Sequence, residues 1–143
     1  MARIEASITV NRPIEEVFTF TADVNNAAKW QSGIIEAVRT SSDPVGVGTT
    51  YRFKQQVVGQ KMDTTGTLTA YDPPNRWAWK ATSGPFPMSG ATACEAVGDG
   101  TRVTVSIDAE PGGFFKLAEG LLTKQVQSQT ENDLKKLKEI MEK

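Results

Sequence analysis

The sequence predicts an α+β fold in which a curved meander of seven antiparallel strands, interrupted by two short helices, is closed by one long C-terminal helix. Three observations carry that expectation. From Ala2 to Val10 apolar and polar residues alternate with a period of two, and comparable segments recur along the chain, separated by tight turns. Two such turns are rich in glycine and proline, Asp72-Pro73-Pro74-Asn75 and Gly98-Asp99-Gly100. Beyond Pro111-Gly112-Gly113 no proline occurs, and apolar residues recur at three- and four-residue spacing, the repeat of a helix.

In the first strand Ile4, Ala6, Ile8 and Val10 share one face, while Arg3, Glu5, Ser7 and Thr9 share the other. Pro13 suits a first helical turn, because its φ is already helical and its missing N–H would have no partner there. Ile14, Val17, Phe18 and Thr21 make the inner face of that helix. Asp23 breaks it, and a second short helix runs from Asn25 to Trp30 and ends by Gly33, with Trp30 anchoring the pair to the sheet. Strands then follow over Ile34–Thr40, Thr49–Val58, Lys61–Tyr71, Arg76–Thr82, Phe86–Val97 and Thr101–Ala109. Gly59-Gln60 reads as a type II′ hairpin turn, and Asp99-Gly100 is a strong hairpin signal.

Alternation assigns the inner faces. Val103, Val105 and Ile107 point inward on the last strand, and Trp77, Trp79 and Ala81 on the strand after the proline turn. Tyr51, Phe53, Gln55 and Val57 form a third inner set, Met62, Thr64, Gly66, Leu68 and Ala70 a fourth, and Thr92, Cys94 and Ala96 a fifth. Large aromatics thus stand beside small or polar residues, a mixture that leaves space when a sheet curls around one helix.

Over the terminal helix, expected from Gly113 to Lys143, the apolar positions fall into two stripes. Phe114, Phe115, Ala118, Leu121 and Leu122 form one, and Val126, Leu134, Leu137 and Met141 the other. At about 100° per residue they are rotated by roughly a quarter turn, and Gly120 near the junction permits a bend. Gln125 and Gln129 continue the first stripe as amides, so either the helix faces a partly wet interior or these glutamines lie on an exposed face. Lys135, Lys136 and Lys138 alternate with Glu131, Asp133, Glu139 and Glu142, which reads as a solvated face carrying ion pairs.

Composition narrows the function. The 143 residues are read as one domain over 1–143, and 16 basic against 17 acidic side chains leave no basic surface for nucleic acid. No run approaches the ~20 apolar residues of a membrane span, and Met1 to Val10 does not resemble a signal peptide. The single cysteine, Cys94, excludes an intrachain disulfide and fits a reducing compartment, so the cytoplasm is expected. There is no histidine, which removes imidazole bases, imidazole metal ligands and Ser-His-Asp nucleophiles. Gly46-Val47-Gly48-Thr49-Thr50 lacks the lysine and following helix of a phosphate loop, and no acidic pair has metal-ligand spacing. Neither a metal nor a cofactor is expected.

Several segments taken in order resemble the helix-grip START-like superfamily (SRPBCC) and its polyketide cyclase/dehydrase-like branch. They are Asn11-Arg12-Pro13 with Glu15-Glu16-Val17-Phe18, Asp23 followed by Trp30, Val47-Gly48-Thr49, Tyr71-Asp72-Pro73-Pro74, Gly98 to Val103, and Leu134-Lys135-Lys136-Leu137-Lys138. The resemblance covers essentially the whole chain and implies a curved sheet gripping the C-terminal helix, with a ligand tunnel between them. It implies no single activity, since lipid carriers, receptors, cyclases and co-chaperones share this fold.

Two functions remain in view, with a third behind them. The leading one is non-enzymatic binding or transport of a small apolar molecule, a lipid, polyketide or aromatic, by a monomer or weak dimer. Tyr51, Phe53, Trp77, Trp79, Thr92 and Leu121 would form the walls, with Gln55, Gln125 and Gln129 orienting the ligand. The second is a polyketide cyclase or dehydratase with Glu36 or Tyr51 as acid/base, although no catalytic motif is present. The parity of the Ile34–Thr40 strand is open: inward Ile34 and Val38 bring Glu36 inside, whereas inward Ile35 and Ala37 leave Glu36 solvated and bring Arg39 inside. The third is a co-chaperone-like interaction surface.

Overall fold

A computed structural model describes the backbone of residues 2–42, 44–57, 60–84, 87–109 and 119–143, with side chains at all of these except 2, 57, 60, 119, 121 and 122. Strand β1 (Ala2–Val10) leads into helix α1 (Ile14–Ala22), a 3-10 turn (Val24–Asn26) and helix α2 (Ala27–Trp30). Strands β2 (Ile34–Arg39), β3 (Thr50–Val57), β4 (Gln60–Asp72), β5 (Arg76–Ser83), β6 (Met88–Val97) and β7 (Gly100–Ala109) follow, then helix α3 (Glu119–Met141). The strands form one antiparallel sheet in the order β1-β7-β6-β5-β4-β3-β2, which is the expected helix-grip α+β architecture. Each strand from β2 to β7 pairs with its neighbour in sequence, and β1 returns to pair with β7 from Ala2↔Ala109 to Val10↔Thr101.

Local chemistry sets the element ends. Pro13 is extended (ψ 149°) and stands at the N-cap, one residue ahead of the helix, and its carbonyl accepts the Val17 N–H at 3.1 Å. Asp23 ends α1, and its side chain accepts the Asn25 N–H at 2.9 Å, which starts the 3-10 turn where the sequence places a second helix. The β6–β7 hairpin turns through Gly98-Asp99, with Gly98 at φ 59°, a conformation that L side chains rarely adopt. The turn expected at Gly59-Gln60 falls partly outside the described residues.

The inner faces follow the alternation with two corrections. In β4 the pairing moves from Leu68↔Trp79 to Ala70↔Ala78, so Thr69 is an extra residue and the parity inverts. Tyr71, not Ala70, therefore joins the interior, where its ring lies 5.6 Å from that of Phe18. In β6 Cys94 is buried, but Ala96, next to the hairpin, is exposed. The core joins Val10, Val17, Phe18, Trp30 and Val103 to Leu134 and Leu137, each at most 3% exposed. A leucine so enclosed contributes about 2 kcal/mol by removing its side chain from water.

Helix α3 runs alongside β1, the edge of the sheet. The Gln127 amide donates to the Glu5 carbonyl at 3.0 Å, and the Lys138 ammonium donates to the Thr9 carbonyl at 2.8 Å. Two carbonyls of the edge strand are thus satisfied by the helix, which covers an edge otherwise open to another chain. At the helix end Arg12 Nε donates to the Met141 carbonyl at 2.6 Å, placing a cation where the helix dipole is negative. The expected second stripe of the terminal helix is buried as Leu134 and Leu137, whereas residues 113–118, with Phe114, Phe115 and Ala118, lie outside the described residues.

Candidate functional site

Between the concave face and the helices lie two small pockets. The larger, about 130 Å³, sits beside α3 and is lined by Ile4, Trp79, Ile107, Val126, Gln129 and Asp133 among others. The smaller, about 70 Å³, lies between the α1–α2 segment and strands β3 to β5, against Ala22, Tyr51, Phe53, Leu68 and Trp77. Gln31, Ile34, Gln55 and Trp79 line both, so one wall serves the two spaces. Each alone, and the two together, are below the ~300 Å³ at which drug-sized ligand pockets begin.

Small residues make this room. Gly90 pairs with Trp79 across β5 and β6, and a Cβ on Gly90 would stand 2.6 Å from the indole nitrogen, so the ring lies where any other residue would project. Gly33 similarly leaves its Cβ position to the Gln129 amide. Trp77 donates its N–H to Thr21 Oγ1 at 3.2 Å, while the Trp79 N–H has no hydrogen-bond partner among the described residues. Thr64 Oγ1 donates to Gln55 Oε1 at 3.2 Å, leaving the Gln55 amide N–H groups free, and the amides of Gln31 and Gln129 are unpaired among the described residues. The cavity wall therefore offers several neutral donors and acceptors within an apolar surround.

A third space is an open cleft of about 530 Å³ lined by Asp23, Arg39, Val45, Tyr51 and Tyr71 among others. Ala22, Asp23, Val24 and Tyr51 also line the smaller interior pocket, so cleft and pocket adjoin. Burial raises the Tyr51 phenol above its ordinary 10.0, partly opposed by the nearby Arg39 charge, so it stays a protonated donor at neutral pH. Its hydroxyl has no hydrogen-bond partner among the described residues.

The structure gathers Tyr51, Phe53, Gln55, Trp77, Trp79 and Gln129 around the two interior pockets. Thr92 is 2% exposed but lines neither pocket, and Gln125 is exposed on a surface hollow beside Gln129. The Leu121 side chain lies outside the described residues. Glu36 stands on the outer face, half exposed, with its carboxylate 4.0 Å from Lys54. The cause is a bulge at Ile35, between the pairs Ile34↔Gln55 and Glu36↔Lys54. Ile34 lies inside, as one parity requires, while Arg39 lies inside, as the other does.

Asp133 corrects the reading of the helix charges as one solvated face. It is 9% exposed, lines the larger pocket, and its Oδ1 accepts from the Ser32 N–H at 3.0 Å and the Ser32 hydroxyl at 2.8 Å. Burial raises its carboxyl above the ordinary 3.8, opposed by the two Ser32 bonds and by Lys136. A sequence signal did exist, since Asp133 adjoins Leu134 and precedes Leu137 by four positions, on the buried side of the helix. Gln31, inward beside Trp30, carried no such signal. Burial pushes the Cys94 thiol up to about 11, so it is an inert core residue at neutral pH. Among the described residues no three His, Cys, Asp or Glu side chains are grouped to hold a metal, and no helix is long and apolar enough to cross a membrane.

No curated protein matches the sequence. Among solved structures, the protein TTHA0849 from Thermus thermophilus superposes with a TM-score of 0.83 at 23% identity, over 96% of this chain and 94% of that one. A START superfamily protein from Mycobacterium smegmatis gives 0.81 at 15% identity, over 99% and 98%. The Zhui aromatase/cyclase from a Streptomyces species gives 0.78 at 18% identity, over 98% and 93%. At these identities the likeness establishes the fold, and both fold and family are consistent with hydrophobic ligand binding or with a cyclase-type function. Residues 1–142 match the model of one family, and the chain accordingly belongs to the polyketide cyclase / dehydrase and lipid transport family.

Proposed function

We propose that this protein binds or carries a small, mostly apolar molecule between the concave face of its sheet and its helices. The observation that carries the reading is the pair of adjoining pockets whose common wall is Trp79, Ile34 and the amides of Gln31 and Gln55. Apolar walls supply affinity, and the free amide and indole groups orient polar substituents. We read the chain as one domain acting in the cytoplasm as a monomer or weak dimer, in keeping with its free Cys94. A ligand of about 18 heavy atoms at ~0.3 kcal/mol each gains roughly 5 kcal/mol, hence a Kd on the order of 0.1 mM for an unselected compound. Titration with fatty acids, flavonoids and aromatic polyketides is expected to quench tryptophan emission, and Trp79→Ala to weaken binding where Lys80→Ala does not. If no compound perturbs Trp77 or Trp79, and crystals soaked in the panel show only side chains in this space, the reading fails.

Asp133 favours a second reading, a cyclase or dehydratase. Its Oδ2 has no hydrogen-bond partner among the described residues, and a carboxyl raised by burial is suited to proton transfer. Under the binding reading Asp133→Asn leaves ligand affinity within about threefold. Loss of turnover of a polyketide-like substrate in Asp133→Asn, with ligand affinity retained, would favour the enzyme.

A further inference from the structure

The side chain of Arg39 carries a polar demand that the described residues do not meet. Its Nε and Nη2 atoms are buried, and neither has a hydrogen-bond partner. Two donors of a cation buried without acceptors are disfavoured unless something else supplies them. These two nitrogens share one edge of the planar guanidinium, with parallel N–H groups spaced to meet both oxygens of a carboxylate. Arg39 pairs with Tyr51 across β2 and β3 and lines the open cleft, with the phenols of Tyr51 and Tyr71 on the same lining. Neither acidic side chain nearby is paired with it. Asp23, in the cleft lining, takes the Asn25 N–H and forms no ion pair with Arg39, and Glu36 faces the opposite side of the sheet toward Lys54.

We infer that Arg39 receives the carboxylate of an amphipathic ligand, whose apolar body passes Tyr51 into the smaller interior pocket. The inference rests on the binding reading above and deepens it, because it makes the ligand an organic acid oriented with its charge outward. The Nε–Nη2 edge is buried beneath the cleft lining, so the carboxylate meets it through a rotation of the Arg39 side chain toward the open space. Tyr51 and Tyr71 stand beside the path as further hydrogen-bond donors. Phe53, Leu68 and Trp77 then surround the apolar body.

Calorimetric titration of the full chain with 2-naphthoic acid, methyl 2-naphthoate and acetate at neutral pH tests this. The acid is expected to bind wild type at least tenfold tighter than its methyl ester, and acetate at least a hundredfold more weakly than the acid. Arg39→Gln is expected to weaken the acid about tenfold and leave the ester within twofold. Arg39→Lys, which keeps the charge but loses the fork, falls between. Equal binding of acid and ester to wild type overturns the inference while sparing the binding reading, and this comparison holds even if a variant fails to fold. An equal loss for acid and ester in Arg39→Gln makes Arg39 a packing residue and also overturns it. Acetate binding as tightly as the acid replaces the amphipathic ligand with a small free anion, and failure of all three to bind wild type counts against both proposals.

Discussion

Glu36 and Arg39 lie on opposite faces of one short strand, and their surroundings predict opposite sensitivities. The Glu36 carboxylate reaches Lys54 only at 4.0 Å with both side chains about half exposed, so Glu36→Gln is expected to change stability by less than about 0.5 kcal/mol in a urea titration. Asp133 differs because it is enclosed. Its pKa is raised in the folded protein, so the stability linked to it is present in full below the ordinary 3.8 and is lost as pH rises through the folded value. Wild type is therefore expected to lose stability relative to Asp133→Asn over a range that begins at about pH 4, as urea melts at successive pH values would record. A difference that stays flat across that range would mean that Ser32 fully offsets the burial. Alternation made Trp77, Trp79 and Tyr51 legible from the sequence alone, since each stands in a run of unbroken period two. It left Arg39 open and misplaced Ala70, because the extra residues Ile35 and Thr69 invert parity without any local mark.

Helix α3 was legible in its second stripe because Leu134 and Leu137 face a solid core. Where it crosses the pockets Val126 is joined by Gln129, Thr130 and Asp133, three polar positions that a hydrophobic period does not identify. Leu137→Ala is expected to cost about 2–5 kcal/mol by chemical denaturation, since its methyls leave a cavity among β1, β7 and α1 side chains. Removing 113–143 exposes that core and two carbonyls of β1, and should leave an aggregating chain. A cooperative transition of wild-type midpoint in the truncated protein would contradict this role of the helix.

Across the whole chain, order in space departs from order in time. Strand β1 is made first, yet its partners are β7, ending at Ala109, and α3, which donates to the carbonyls of Glu5 and Thr9. At synthesis rates of about 5–20 residues per second, the first strand waits roughly 5 to 20 seconds for β7 to emerge. Through that interval its alternating apolar face and unpaired backbone are available to any passing strand. Nascent chains arrested before Gly100 are accordingly expected to be cleaved within β1 by a mild protease that spares it in the released protein. The contact that shields the sheet edge in the finished molecule is thus the last made, and growth conditions that slow elongation will lengthen the period in which the newborn chain depends on chaperones.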